Sequence, residues 1–168
     1  MRAFIIDKVI PAIRAKWPVE DAGRPIFIQQ DNARPHIDPS DPLFREAAQQ
    51  DGFNIELVCQ PPNSPDLNIL DLGFFASIQA LQFKNAAKTV VDIVNVVQGE
   101  FEKYSPIVSN RIFVTLRTVM VEVMKVGGGN NHKTPHINKA SLEKEGKLPL
   151  QMKCDLHLVR DVCMQLEE

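Results

Sequence analysis

Cysteine is scarce in this sequence, and the three present are poorly placed for cross-linking. Cys59, Cys154 and Cys163 are an odd number at unrelated spacings. They provide no disulfide framework and fit a reducing compartment. No apolar run approaches the ~18 residues of a membrane span, so no membrane partner is expected. The start, Met1-Arg2-Ala3-Phe4-Ile5-Ile6-Asp7, carries charge too early for a secretion signal. The expectation is a cytosolic or nuclear protein. Neither G-x-G-x-x-G nor a P-loop occurs, and there is no internal repeat, which excludes the common nucleotide-binding loops. A net charge of -2 gives no global nucleic-acid footprint. His132 and His136 stand four apart, but Pro135 separates them and Gly127-Gly128-Gly129 precedes them. A helical histidine pair for zinc is therefore disfavoured.

The composition present is globular, 44% hydrophobic and 24% charged. Ile6, Ile10, Ile13 and Trp17 predict a helix over 3–17, kinked or restarted at Pro11. Pro25 to Asp31 reads as a strand apolar on both faces, as if buried between helices. Residues 32–42 are loop, and 43–50 a short helix capped by Asp41. Phe53 to Cys59 is a second strand, with Ile55, Leu57 and Cys59 alternating. A proline loop leads into a helix from Ile69 to about Phe83, with Asn68 as its cap. Val90, Ile93, Val94, Val97, Phe101 and Tyr104 mark another helix. Ser109 is the expected cap of a third, with Ile112, Leu116, Val119, Met120 and Val123 as its buried stripe and the triple glycine as its stop. Residues 130–153 read as irregular, and Cys154 to Glu167 as a last helix. From Lys125 to Lys153 there are six lysines against Glu143 and Glu145. They are either a solvated tail or a phosphate-contacting segment. Strands joined through a helix are parallel, so the class is α/β. Two strands are few for a stable sheet, and a completing part is expected.

Two carboxylates carry the chemical interest. Asp31 ends the first strand, where open α/β sheets place their sites. Asp71 falls in the first turn of the helix after the second strand. Paired carboxylates suit a hard divalent cation, which takes oxygen ligands from one or two acids, water and phosphate. Each also has a local role: Asp31-Asn32 starts a turn, and an acid at the third helical position favours the helix dipole. Asp66 reads as bonding amides of the Pro65–Asn68 turn. In an ideal helix it would stand about 140° from Asp71, so the two do not share a metal.

The stretches I-Q-Q-D-N-A-R-P-H-I (28–37) and Q-P-P-N-S-P-D-L-N-I-L-D-L-G-F-F (60–75) resemble the mariner-type transposases, DDE/DDD recombinases with a ribonuclease-H-like fold. In that family the second catalytic aspartate lies in D-N-A-x-P-H, matched by Asp31, and the third acid lies five after the aspartate of S-P-D-L, matched by Asp71. The 39 residues between them, with aspartate as the last acid, look like the plant mariner-like subgroup. Gly127-Gly128-Gly129-Asn130 and Gly146-Lys147-Leu148-Pro149 also resemble its tail, so the likeness covers essentially the whole chain. The resemblance implies an incomplete ribonuclease-H-like fold, its first strands missing, over 1–105, and a helical, basic extension over 106–168. It implies Mg²⁺ or Mn²⁺ at Asp31 and Asp71, DNA as partner, an intact transposase or a second copy as a further partner, and a nuclear location. Asn32, Arg34 and His36 are the supporting candidates: His36 and Asn32 orient a ligand or pack the loop, and Arg34 contacts phosphate or solvent. No residue matches the family's first aspartate, since Asp7 lies in the expected helix. The expected function is that of a transposase fragment that does not cut DNA alone. The alternative is a non-catalytic nucleic-acid-binding or transposase-interacting module.

Overall fold

The computed structural model describes residues 1–82 and 89–167. Met1–Asn63 and Ser64–Glu168 form two compact units. This division by packing falls at a different point from the sequence division at 105.

The first unit is built on two parallel strands, β1 (Pro25–Gln30) and β2 (Asn54–Cys59). Ile26 lies opposite Ile55 and Ile28 opposite Leu57. Parallel strands need a crossover between them, and α3 (Pro42–Ala48) lies in it. Helical chain precedes the strands as α1 (Arg2–Phe4), a π-helical turn (Ile5–Val9) and α2 (Ile10–Lys16). A second α-helical segment starts at Ile10 with Pro11 in its first turn, as the sequence led us to expect. The Ile10 amide reaches back five residues to the Ile5 carbonyl, widening the turn just before a residue that has no amide to donate.

Ile5, Ile10, Ile26, Phe44, Ala48, Ile55 and Leu57 form one buried cluster. It covers one face of the sheet. β1 is therefore not buried on both faces as its composition implied: Ile26 is buried while Phe27 is 60% exposed. The period-2 pleat puts them on opposite sides, and Ile5 of the π-helical turn, Ile10 of α2 and Phe44 and Ala48 of α3 pack on the side of Ile26. Cys59, expected to continue the buried side of β2, is exposed. Arg14 ties α2 to the end of α3, donating to the carbonyls of Ala47 and Gln50 at 2.5 and 3.1 Å, with its guanidinium 5.9 Å from the Phe53 ring centroid. At the other end Asp41 caps α3, accepting the Phe44 amide at 3.0 Å, and takes Arg2 Nε on its second oxygen at 2.8 Å.

In the second unit, a 3₁₀ turn (Pro65–Leu67) and a π-helical turn (Leu70–Phe74) lead into α4 (Phe75–Gln82). The expected end of that helix near Phe83 lies outside the described residues. α5 (Val90–Glu102) starts with a Thr89–Asp92 capping box. Ser77 Oγ meets Tyr104 Oη at 2.6 Å and Phe74 packs edge-on against Phe101, joining α4 to the α5 end. α6 (Pro106–Lys125) begins at Ser105, whose hydroxyl accepts the Ile107 amide, not at Ser109. Pro106 belongs at the first helical position, where its missing amide costs nothing. The most buried residues of α6 are Val114, Thr118 and Val119, whereas Met120 is exposed. Of the expected stripe Val119 is buried, and Ile112 packs onto Gly73, where an added Cβ would lie 3.3 Å from Ile112 Cγ1. The triple glycine stops α6 in a Schellman arrangement: the Gly128 amide reaches Val123 O and that of Gly127 reaches Met124 O, with φ of 85° and 63°.

Residues 130–153 are not wholly irregular. α7 (Lys139–Lys144) forms there, held to α6 by the Arg111–Glu143 ion pair and the Lys139–Thr115 hydrogen bond. Burial, then the nearby Arg111 charge, holds the Lys139 ammonium below its usual pKa. α8 (Leu156–Glu167) packs against α6. Among the described residues no helix is long and apolar enough to cross a membrane.

The Asp41 carboxyl is held below its ordinary pKa of 3.8, first by the Phe44 amide and then by Arg2, against the opposing effect of burial. A lowered folded-state pKa contributes stability above the unfolded value, lost as pH falls through the folded one. Trp17, the only tryptophan, sits in this unit. Its fluorescence-detected unfolding should move to lower denaturant as pH drops below 3.8, and Asp41→Asn should flatten that dependence.

Candidate catalytic and metal-binding residues

The first unit places Asp31, Asn32 and His36 together. β1 ends at Gln30, but the Gln60 amide donates to Gln30 O at 2.8 Å, so pairing continues one step past the strands. Asn32 Nδ2 reaches Gln60 O at 2.9 Å, and Gln30 Nε2 reaches Ile37 O at 2.7 Å. These two side-chain bonds fold the loop back over the strand ends. Within it, Asp31 Oδ1 accepts the Ala33 amide at 2.8 Å, an Asx turn. The same oxygen lies 2.8 Å from His36 Nδ1, which is also 2.9 Å from Asp31 O. His36 is half-buried and clasps both the carboxylate and the carbonyl of Asp31. All of this load falls on Oδ1, so Oδ2 keeps its coordinating capacity. Arg34 is exposed at the loop tip.

Asp71 belongs to the second unit. Asn68 caps its helix, with Oδ1 accepting the Leu70 amide at 3.1 Å and the Asn68 carbonyl accepting the Leu72 amide at 2.8 Å. Asp71 is the third helical residue and is exposed. It lies in a π-helical turn, wider than the ideal turn. Two residues on, the Gly73–Ile112 contact presses that turn against α6.

Asp66 has a different partner from the one its sequence position implied. The turn closes through backbone bonds, Leu67 amide to Ser64 O and Asn68 amide to Pro65 O. The Asp66 carboxylate instead accepts from His132 Nε2 at 2.8 Å, and the His132 side chain is only 5% exposed. Its Nδ1 lies 3.3 Å from Gly129 O, and Ser64 Oγ lies 3.5 Å from Asn130 Oδ1. The segment after the triple glycine is thus clamped to the S-P-D-L turn. His132 was missed as a partner because nothing in a sequence reports a contact across 66 positions. His136 is exposed, outside this contact.

Among the described residues, no three His, Cys, Asp or Glu side chains are grouped to hold a metal. The oxygens of Asp31 and Asp71 nevertheless have the hard-donor chemistry that Mg²⁺ or Mn²⁺ requires. An apolar cavity of about 500 Å³ in the second unit, lined by residues including Leu67, Arg117, Met124, Met152 and Cys154, has no carboxylate in its wall. Comparison with protein-family models, curated proteins and solved structures gave no match.

The Asp66–His132 contact supports the loop that carries the chain into the Asp71 helix. Asp66→Asn and His132→Ala should each lower stability by about 1–2 kcal/mol. In a double-mutant cycle followed by denaturation, the second change should cost little once the first is made. Additive costs would show that the two side chains act independently.

Proposed function

We propose that this chain carries two acids of a mariner-type DDD transposase catalytic domain, an incomplete ribonuclease-H-like fold whose family cuts and joins DNA strands in the nucleus. The observation that supports this most is the agreement of motif and placement. Asp31 of D-N-A-R-P-H follows the carboxyl end of β1 with one oxygen uncommitted by the loop, and Asp71, five after the aspartate of S-P-D-L, is exposed on a first helical turn. Open α/β sheets place their chemistry at such strand ends.

In this reading Asp31 and Asp71 hold Mg²⁺ or Mn²⁺. The cation, when bound, supplies positive charge to the phosphoryl-transfer centre. Asn32 and His36 keep the Asp31 carboxylate in one orientation. Arg34, exposed beside it, pairs with a DNA phosphate. With no counterpart of the family's first aspartate among these 168 residues, the polypeptide alone holds a cation and DNA without cutting.

One observation favours a second reading. Of the six lysines from 125 to 153, Lys125 and Lys147 pair with Glu122 and Glu145, but Lys133, Lys144 and Lys153 are exposed without an ion pair among the described residues. They would serve a nucleic-acid-binding or transposase-interacting module with no catalytic part.

The test is calorimetric titration with Mn²⁺, beside a nicking assay on duplex DNA. Binding should weaken at least ~10-fold in Asp31→Asn and in Asp71→Asn, with no nicking by the unmodified chain. Asn keeps the acceptor for the Ala33 amide, so the loop is retained. Nicking abolished by Asp71→Ala would contradict inactivity of the chain alone. Absence of Mn²⁺ binding, together with DNA affinity that depends on Lys133, Lys144 and Lys153, would favour the second reading.

A further inference from the structure

The apolar cavity of the second unit is walled by three separate parts of the chain. The S-P-D-L turn supplies Leu67, α6 supplies Arg117, Met120 and Met124, and the approach to α8 supplies Met152 and Cys154. The three α6 residues stand three and four apart, so they share one side of the helix. Met120 belongs to the expected apolar stripe of α6 and is 50% exposed. Its place in the cavity wall accounts for that exposure. Small-molecule sites have volumes of roughly 300–1,000 Å³ and mostly apolar walls, and this one measures about 500 Å³. Methionine side chains are unbranched and polarizable, so a wall with three of them adapts to the shape of an apolar guest.

The one charge in that wall identifies the guest. Arg117 is the only charged residue among the described lining. Its Nη1 donates to Leu150 O at 2.5 Å, which holds the guanidinium in place. Among the described residues Arg117 forms no ion pair, and the one acid of α6, Glu122, pairs with Lys125 at 2.7 Å. An apolar wall with a single uncompensated cation fits a molecule that is apolar except for one negative charge. A carboxylate brings that one charge and matches the guanidinium fork. The second charge of a phosphate monoester would meet no second cation in the described wall. We propose that this cavity binds a small amphipathic monocarboxylate, with its apolar body among Leu67, Met120, Met124 and Met152 and its carboxylate on Arg117. The site does not rest on the Asp31 and Asp71 chemistry.

Octanoate is the probe, with octanol as its uncharged counterpart and hexanoate and decanoate as the shorter and longer chains. Each is titrated calorimetrically into the full chain below micelle-forming concentrations. Octanoate should bind at least ~10-fold more tightly than octanol, because a hydrogen bond to a charged group is involved. Each two-carbon step should tighten binding at least ~5-fold as methylenes leave water. Arg117→Gln should remove the preference for the acid and leave octanol binding unchanged, with unchanged circular dichroism showing that the fold is kept. Cys154 gives a second readout. In a Cys59→Ser/Cys163→Ser background, both exposed positions, the Cys154 thiol adds across the double bond of N-ethylmaleimide, and octanoate should slow that addition. Octanoate that does not bind, binds no better than octanol, gains nothing from a longer chain, keeps its preference in Arg117→Gln or leaves Cys154 unprotected would overturn the proposal. The octanoate–octanol comparison uses the unmodified chain, so it decides the matter even where Arg117→Gln does not fold.

Discussion

β1 and β2 run in the same direction, with Ile26 opposite Ile55 and Ile28 opposite Leu57, and that direction governs the first unit. Parallel strands cannot be joined by a tight turn. The chain must leave the end of β1, cross over and return, and residues 31 to 53 are that excursion. Its helix, α3, brings Phe44 and Ala48 onto the buried face of the strands. Its opening loop begins with Asp31. The carboxylate therefore stands beyond a strand end because the sheet is parallel. Asn32 and His36 then hold it there through Gln60 O and through Asp31 itself.

The second unit reaches a comparable result by other means. Here a helix start does the positioning. Asn68 caps it, Gly73 lets it approach Ile112, and the Asp66–His132 contact ties the preceding turn to the segment beyond the triple glycine. Long-range side-chain bonds, rather than sheet register, set where Asp71 is presented. The stop of α6 is part of that arrangement, because the left-handed Gly127 and Gly128 turn the chain toward the S-P-D-L turn.

What could be read from the sequence follows from how local its cause is. Both strands, their parallel sense, the Asp41 and Asn68 helix starts and the glycine stop rest on neighbouring residues, and these were legible. So was the grouping of Asp31 with Asn32 and His36, which lie within six positions. The exposed side of β1 was not, because the apolar run Ile26-Phe27-Ile28 cannot report that Ile5, Ile10, Phe44 and Ala48 pack on the side of Ile26. The start of α6 was expected at Ser109, whereas Ser105 caps it and Pro106 takes its first helical position. α7 was lost among lysines, since its hold on α6 comes from Arg111 and Thr115, far back in the chain. His132 was weighed against His136, its neighbour in sequence, whereas its partner in space is Asp66.

The account rests on Asp31 being a carboxylate that its loop orients and leaves able to take a hard cation. Paramagnetic broadening by substoichiometric Mn²⁺ in the ¹H–¹⁵N spectrum of the full chain tests this directly. Broadening concentrated on the amides from Asp31 to His36, and lost in Asp31→Asn, is the predicted result. Broadening that spares those amides, or that survives the Asp31→Asn substitution there, would contradict it.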